Sequence, residues 1–181
     1  HVAGLDSIVR LFKYGNLPNL SPILPFLFKL RGKPFKLEDH FPLEPMYKRV
    51  GIPPKALLKC GRQVSKSTTL AAQGILRSAI MPYTNTLFCC PLFEQIRRFS
   101  NNYVRPFIEE SLIRKILIGE GFKQDNSVFQ RTFANYSTMF FTFAFLDAER
   151  ARGIAADVLT IDEVQDIDVD FMPILEACLS A

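Results

Sequence analysis

The chain has 181 residues, of which 48% are hydrophobic and 22% charged, a balance that fits one folded domain and excludes a disordered segment. Its net charge of +4 permits a nucleic-acid partner without requiring one. With four cysteines, none in a C-x-x-C spacing, and only two histidines, a structural zinc site is not expected, and the cysteines are interpreted as small buried thiols.

Residues 1–45 contain six of the twelve prolines, and we interpret them as an N-terminal arm or lid segment packed on the core. Apolar spacing predicts a short helix over Leu5–Tyr14. The apolar run at 22–28 is too short to span a bilayer, so no membrane partner is expected. Four basic residues further on form either a solvated face or a surface that meets nucleic acid. These residues are Lys29, Arg31, Lys33 and Lys36.

From residue 46 to residue 181, apolar strands alternate with amphipathic helices, which predicts an α/β fold with a mostly parallel sheet and flanking helices. The predicted strands are Ala56–Cys60, Thr86–Cys90, Thr138–Phe145 and Val158–Ile161. The predicted helices are Ser67–Ile80, Leu92–Asn102 and Pro106–Ile118, and a hairpin is assigned to 119–135.

Residues 60–68 read Cys-Gly-Arg-Gln-Val-Ser-Lys-Ser-Thr and lie between a predicted strand and a predicted helix, as a phosphate-binding loop does. The general pattern is G-x-x-x-x-G-K-[ST], and Cys60 and Ser65 stand at its two glycine positions. In this register Lys66 reaches the β- and γ-phosphates of a nucleotide and Ser67 binds Mg²⁺. The alternative is a basic helix start, in which Ser65 or Ser67 caps the helix and Lys66 is solvated.

Ser65 is the unusual residue of this loop. Glycine is common at its position because the backbone must approach the phosphate closely, often with a positive φ. The Cβ atom of Ser65 therefore predicts a crowded or shifted loop and a weakened affinity for nucleotide.

A second motif lies at 157–163, where an apolar strand ends in two carboxylates, Asp162 and Glu163. Ligands of open α/β sheets bind at the carboxyl ends of the strands. Asp162 is of the type that holds Mg²⁺, directly or through water, and Glu163 is of the type that orients and deprotonates an attacking water. Alone, these could be ordinary surface acids. Downstream of a candidate phosphate loop, they favour a nucleoside triphosphatase.

Residues 61–68 resemble the Walker A segment of the large terminase subunit, the DNA-packaging motor ATPase of tailed viruses. That family often has Arg-Gln in this loop and often lacks the first glycine. Arg152-Gly153, shortly before the Walker B strand, is a second similarity. A third, weaker one is 32–47, which is similar to the family's lead-in to the adenine site. The resemblance extends over 32–170.

The resemblance implies an ASCE-type P-loop ATPase core that uses ATP and Mg²⁺. Catalysis would involve Lys66, Glu163 as the base, Arg62 at the γ-phosphate, and Arg152 as an arginine finger that reaches a neighbouring subunit. Arg150 is the alternative finger, and a surface salt bridge is the alternative role of either arginine. The metal would be held by Ser67 and Asp162. The nucleotide-binding residues would be Gly61, Arg62, Gln63, Val64, Ser65, Lys66, Ser67 and Thr68.

The implied partners are double-stranded DNA, the portal, the small terminase subunit and further copies of the chain in a ring, in the host cytoplasm at the procapsid. The family's next strand and its nuclease domain lie outside the chain. We therefore expect a core truncated at the C-terminus, an exposed sheet edge, weak ATPase activity and no nuclease activity. Two alternatives are a helicase-like nucleic-acid-dependent ATPase and a degenerate P-loop scaffold that binds nucleotide weakly.

Overall fold

The structure is a computed structural model that describes residues 24–36, 55, 57–114, 127–144 and 151–179. Its helices are α1 (Leu24–Leu27), α2 (Lys66–Ile80), α3 (Phe93–Arg98), α4 (Arg105–Glu110) and α5 (Met172–Glu176). A π-helical segment (Phe99–Val104) joins α3 to α4, and two 3-10 turns span Val164–Asp166 and Val169–Phe171. The strands are β1 (Lys29–Leu30), β2 (Lys33–Pro34), β3 (Asn85–Cys90), β4 (Gln130–Thr132), β5 (Thr138–Phe143) and β6 (Val158–Ile161).

Four of these strands form one sheet in the order β4-β5-β3-β6. Strand β3 pairs in parallel with β5 on one side and with β6 on the other, whereas β4 pairs antiparallel with β5. The predicted α/β fold with a mostly parallel sheet is thus confirmed. Because Cys89 lies opposite Ile161, β3 and β6 end at the same edge of the sheet.

The central strand β3 is covered on both faces, and its side chains alternate between two apolar clusters. Phe88 and Cys90 belong to a cluster that includes residues of α2, the π-helical segment and α4. Leu87 and Cys89 belong to a second cluster, which includes Leu175 of α5. Burial on both faces explains why this strand is apolar almost throughout, as parallel strands covered by helices are. The sheet is therefore the middle layer, and its carboxyl edge is firmly supported.

The expectation of buried thiols holds for three of the four cysteines. Cys89, Cys90 and Cys178 are buried, and Cys60 is half-buried. Burial raises the pKa of both Cys89 and Cys90 to about 12. These two thiols stay protonated at neutral pH and act as small apolar core groups.

The predicted strand at Ala56–Cys60 is wrong for the part that the structure describes. Residues 57–60 are irregular, and the side chain of Leu57 is 86% exposed. An apolar run becomes a strand only where a neighbouring strand supplies hydrogen bonds and packing, and no described strand pairs with this run. Next to β6, Ala156 instead forms a parallel bridge with Leu179.

The two helices predicted over 92–102 and 106–118 form one continuous helical run in the structure, from Phe93 to Glu110. The predicted ranges leave a break at residues 103–105. In the structure Pro106 lies in the first turn of α4, directly after the wider π-helical turns, where its missing N–H donor is tolerated. The run ends at Glu110, earlier than predicted, and residues 115–118 lie outside the described part.

The other predicted elements agree with the structure in type and differ only at their ends. The helix predicted over 67–80 begins at Lys66, and the strand predicted over 86–90 begins at Asn85. The strand predicted from Thr138 runs to Phe143 among the described residues, and Val158–Ile161 has the predicted bounds. The hairpin predicted within 119–135 is the exception. In the described part of that range β4 pairs with β5, a separately predicted strand outside the range, across a turn at 133–137, and 119–126 lies outside the described part.

Within the N-terminal segment, residues 24–36 pack on α4. The rings of Phe28 and Phe35 both meet the ring of Phe107 edge to face, with centroids 5.4 and 5.5 Å away. Strands β1 and β2 form a small antiparallel hairpin, whose turn residue Gly32 donates its N–H to Glu110 Oε2 at 2.8 Å. The helix predicted over 5–14 lies outside the described part. No helix in the described part is long and apolar enough to cross a membrane.

Candidate functional site

The loop that precedes α2 has a strained backbone. Gln63 and Ser65 have φ values of 60° and 63°, in the left-handed region that favours glycine. The first helical hydrogen bond of α2 runs from the N–H of Thr69 to the carbonyl of Ser65 at 3.0 Å. Ser65 thus adopts the glycine-like conformation in spite of its Cβ atom. The predicted effect on nucleotide affinity stays a prediction.

The start of α2 has the properties of an anion site. The side chain of Ser65 makes no capping hydrogen bond, and the first turn of the 15-residue helix carries no acidic residue. The N–H groups at such an end and the helix dipole favour a negatively charged ligand. The alternative in which Ser65 caps the helix is therefore wrong, because its hydroxyl does not bond to the helix.

The carboxylate motif lies beyond the end of β6. The N–H of Asp162 donates to the carbonyl of Cys89 at 2.9 Å, which continues the pairing with β3. Glu163 then leaves the strand with a φ of 53°, and its N–H donates to Asp162 Oδ1 at 2.9 Å. Both carboxylates therefore follow the strand at the carboxyl edge of the sheet, where they line the same cleft.

Lys66 and Asp162 join the two motifs. The Nζ atom of Lys66 lies 2.7 Å from Asp162 Oδ1, and both side chains are largely shielded from solvent. Burial by itself lowers the pKa of Lys66, but the hydrogen bond with Asp162 and the negative charges of Asp162 and Glu163 outweigh it and raise the pKa above its ordinary value. Lys66 is therefore charged at every physiological pH, and the alternative in which it is simply solvated is wrong.

Gln95 is a site residue that the sequence interpretation missed. Its Nε2 donates to Glu163 Oε2 at 2.7 Å, and its Oε1 accepts the N–H of Leu92 at 3.0 Å. The side-chain amide of Gln95 thus bonds through its oxygen to the backbone at the start of α3 and through its nitrogen to Glu163, the predicted base. The only sequence signal was a glutamine at the third position of a helix, which by itself indicates capping.

A cleft of about 180 Å³ opens beside these residues. It joins the start of α2, the first turns of the helical run after β3, and the carboxylate motif. Its polar lining residues are Ser67, Gln95, Arg98, Tyr103, Asp162 and Glu163. The structure therefore brings the predicted Ser67, Asp162 and Glu163 together, with Lys66 bonded to one of them, and adds Arg98 and Tyr103.

Two predicted arginines do not line this cleft. Arg62 lies on the exposed part of the loop, together with Gly61 and Gln63. Arg152 lines a different cavity of about 410 Å³, next to Pro173 and Cys178. Arg150, the alternative finger, lies outside the described part.

The donor groups of the cleft fit Mg²⁺. Ser67 and Asp162 both present oxygen atoms there, and Mg²⁺ prefers oxygen ligands and retains several waters. The described residues contain no group of three or more histidine, cysteine or acidic side chains arranged to hold a metal. Phosphate oxygens would therefore have to complete the coordination, as they do where Mg²⁺ binds together with a nucleotide.

Two comparisons of the sequence with known proteins bear on the site. No protein-family model matches the chain, and a search of curated proteins finds no significant match. The geometry of the site and the motifs of the sequence are thus the basis for a function.

Proposed function

We propose that the chain is an ATP hydrolase that uses Mg²⁺, and that it is the ATPase domain of a viral motor that packages double-stranded DNA. The observation that carries the proposal is the 2.7 Å ion pair between Lys66 and Asp162, because it joins the candidate phosphate loop to the strand-end carboxylates. Opposite charges attract, but this pair also brings together the start of a helix and the end of a parallel strand, the two places where phosphate and metal bind in α/β folds. The ASCE-type P-loop core is part of this proposal.

The residues of the cleft divide the work of hydrolysis. Lys66 exchanges Asp162 for the β- and γ-phosphates, and the N–H groups at the start of α2 bind phosphate oxygens. Ser67 and Asp162 would hold Mg²⁺, which would neutralise charge on the phosphates. Glu163 takes a proton from a water, whose oxygen attacks the γ-phosphorus while the bond to the β–γ bridging oxygen breaks, giving ADP and phosphate.

The DNA partner is supported by the hairpin β1–β2 and its flanks. The side chains of Lys29, Arg31, Lys33 and Lys36 are exposed there, and the structure gives none of them an acidic partner among the described residues. The hairpin is packed on α4 through Phe28 and Phe35. A cluster of exposed cations suits the phosphate backbone of DNA, which is recognised by charge.

Arg152 would serve as an arginine finger toward a neighbouring copy in a ring. Its place in a separate cavity supports this role, since it does not reach the cleft of its own chain. The portal, the small terminase subunit and the host cytoplasm follow from the same proposal and from the resemblance of residues 61–68.

A scaffold that binds nucleotide weakly is the second candidate. It is favoured by the left-handed backbone of Ser65 and by the exposed residues 57–59, which pair with no described strand before the loop. A scaffold, however, has no need for an acid held as Glu163 is held by Gln95.

Steady-state ATP turnover with Mg²⁺ distinguishes the ATP hydrolase from the weakly binding scaffold. We expect the wild-type chain to hydrolyse ATP slowly, and Glu163→Gln to reduce kcat by about 10²-fold or more while ATP still binds. Glu176→Gln, on the exposed surface of α5, is the control. Nucleotide binding without any turnover by the wild type would favour the scaffold, and absence of both would overturn the nucleotide site itself.

A further inference from the structure

Arg98 is a cation of the cleft that the sequence motifs do not include. It lies at the end of α3, three residues after Gln95, and therefore on the same face of the helix, where it lines the cleft with Ser67 and Glu163. Its side chain is exposed, and the structure gives it no ion pair or side-chain hydrogen bond among the described residues.

The neighbouring Arg97 shows how an ordinary surface arginine of this helix is used. Its Nε and Nη2 donate to Glu94 Oε2 at 3.0 and 2.8 Å, one turn back along α3. In the cleft, by contrast, Asp162 and Glu163 are already bonded to Lys66 and Gln95. The guanidinium of Arg98 is thus left for a ligand, although two carboxylates lie in the same cleft.

The backbone that carries Arg98 is held firmly. The next residue, Phe99, stacks on Phe88 of the central strand with ring centroids 3.7 Å apart and planes inclined by 1°. In the following π-helical turns, the carbonyl of Ser100 accepts the N–H of Arg105, five residues on, and a bond from the buried Arg131 at 3.2 Å. π-Helical turns occur often at functional sites. These contacts connect the backbone next to Arg98 with the central strand and with the buried Arg131.

We propose that Arg98 binds the terminal phosphate of the nucleoside triphosphate within the same chain. This inference rests on the proposed ATPase and names a residue of its site. By formal charge, Lys66 and Arg98 together balance the two carboxylates of the site. A polyphosphate is attracted to such a cleft through the arginine, whose planar guanidinium donates two parallel hydrogen bonds to phosphate oxygens.

Equilibrium binding tests the proposal, with Mg²⁺ present and with ADP and the non-hydrolysable analogue AMP-PNP as separate ligands. We expect Arg98→Ala to raise the Kd for AMP-PNP by about tenfold or more, and the Kd for ADP by less than about twofold. The Kd of Arg98→Lys for AMP-PNP should lie between those of the wild type and Arg98→Ala. A lysine keeps the positive charge but lacks the planar guanidinium that donates two parallel hydrogen bonds. Arg97→Ala, which removes an equally exposed arginine from the same helix, should change neither Kd.

The outcomes separate this inference from the proposed function. If the wild type binds both nucleotides and Arg98→Ala weakens neither, or weakens both equally, the assignment of Arg98 is overturned and the ATPase proposal is untouched. If Arg98→Ala binds both nucleotides normally and loses affinity for a DNA duplex, Arg98 contacts nucleic acid and the inference is again overturned. If the wild type binds neither nucleotide, the proposed function and the inference fail together. Circular dichroism of each variant checks that the fold is retained.

Discussion

The Nε2 atom of Gln95 donates a 2.7 Å hydrogen bond to Oε2 of Glu163, and thereby ties the helix that follows β3 to the acid that follows β6. The second end of the Gln95 amide is held by the N–H of Leu92. A carboxylate held in this way has one orientation, and a general base has to be oriented toward the water that it deprotonates. Gln95 is therefore a positioning residue for Glu163.

Replacement of Gln95 by alanine tests this role. We expect Gln95→Ala to lower kcat for ATP by about tenfold, because hydrogen bonds to charged groups contribute about 1.5–3 kcal/mol, and to leave KM nearly unchanged. Glu94→Ala, on the same turn of α3, is the control and should keep the wild-type kcat. A kcat for Gln95→Ala that equals or exceeds that of the wild type would show that the bond restrains Glu163 instead of positioning it.

Ser65 provides a test of strain in the loop. Its φ of 63° costs a residue with a Cβ atom roughly 1 kcal/mol relative to glycine, so Ser65→Gly should raise the free energy of unfolding by about that amount. We also expect it to lower the Kd for ATP, since the backbone can approach the phosphate more closely. Ser65→Ala removes the hydroxyl but keeps the Cβ atom, so it should not lower the Kd for ATP. Equal Kd values for Ser65→Gly and the wild type would exclude crowding by Ser65.

Because of the ion pair of Lys66, the stability of the fold is expected to change with pH in the alkaline range. The folded-state pKa of Lys66 is raised above the ordinary value of 10.5, so its contribution to stability is fully present below that pH and is lost as the pH rises through the folded-state value. We expect the difference in unfolding free energy between wild type and Lys66→Met to be constant from pH 7 to about 9 and to shrink above about 10.5.

Chemical denaturation at a series of pH values measures this difference. Lys55→Met is the control, because Lys55 pairs with Glu176 at 3.0 Å on the exposed surface, where an ion pair contributes little. A difference between wild type and Lys66→Met that stays the same up to pH 11.5 contradicts the raised pKa.

The exposed hairpin can be tested through the salt dependence of DNA binding. Each phosphate contact that is lost reduces the slope of log K against log salt concentration by about 0.9, so the double variant Arg31→Ala, Lys33→Ala should lower the slope by nearly 2. The matched control is Arg97→Ala, Arg105→Ala, which removes two exposed arginines that are already paired with Glu94 and Glu109. If the two double variants have equal slopes of log K against log salt concentration, DNA does not bind to this hairpin.

Mixing two inactive variants tests whether Arg152 acts on a neighbouring chain. Arg152→Ala keeps the base and Glu163→Gln keeps the finger, so a mixed ring contains some sites in which both are present. We expect each variant alone to be at least about 10²-fold slower than wild type and the mixture to recover a measurable fraction of the ATPase rate. A mixture no faster than its components would mean that Arg152 does not complete a neighbour's site.

The sequence by itself determined the elements whose signals are local. Three such elements were predicted: the helix Lys66–Ile80, the buried strand Asn85–Cys90 and the strand that leads to Asp162 and Glu163. Their periodicity depends only on residues that are neighbours in the sequence. The same periodicity was misleading at 57–60, where an apolar run has no described strand to pair with. The break expected at 103–105 is absent, since π-helical turns continue the helix up to α4, where Pro106 lies in the first turn.

Only the tertiary structure decided which side chains meet. Strand β6 lies next to β3 and not next to residues 57–60, and this order places Gln95 and Arg98, far from either motif in the sequence, beside Glu163. The same packing pairs Lys66 with Asp162 and leaves Arg152 in a separate cavity. Spacing along the chain does not encode the order of strands in a sheet, because that order depends on which faces and edges can be buried together.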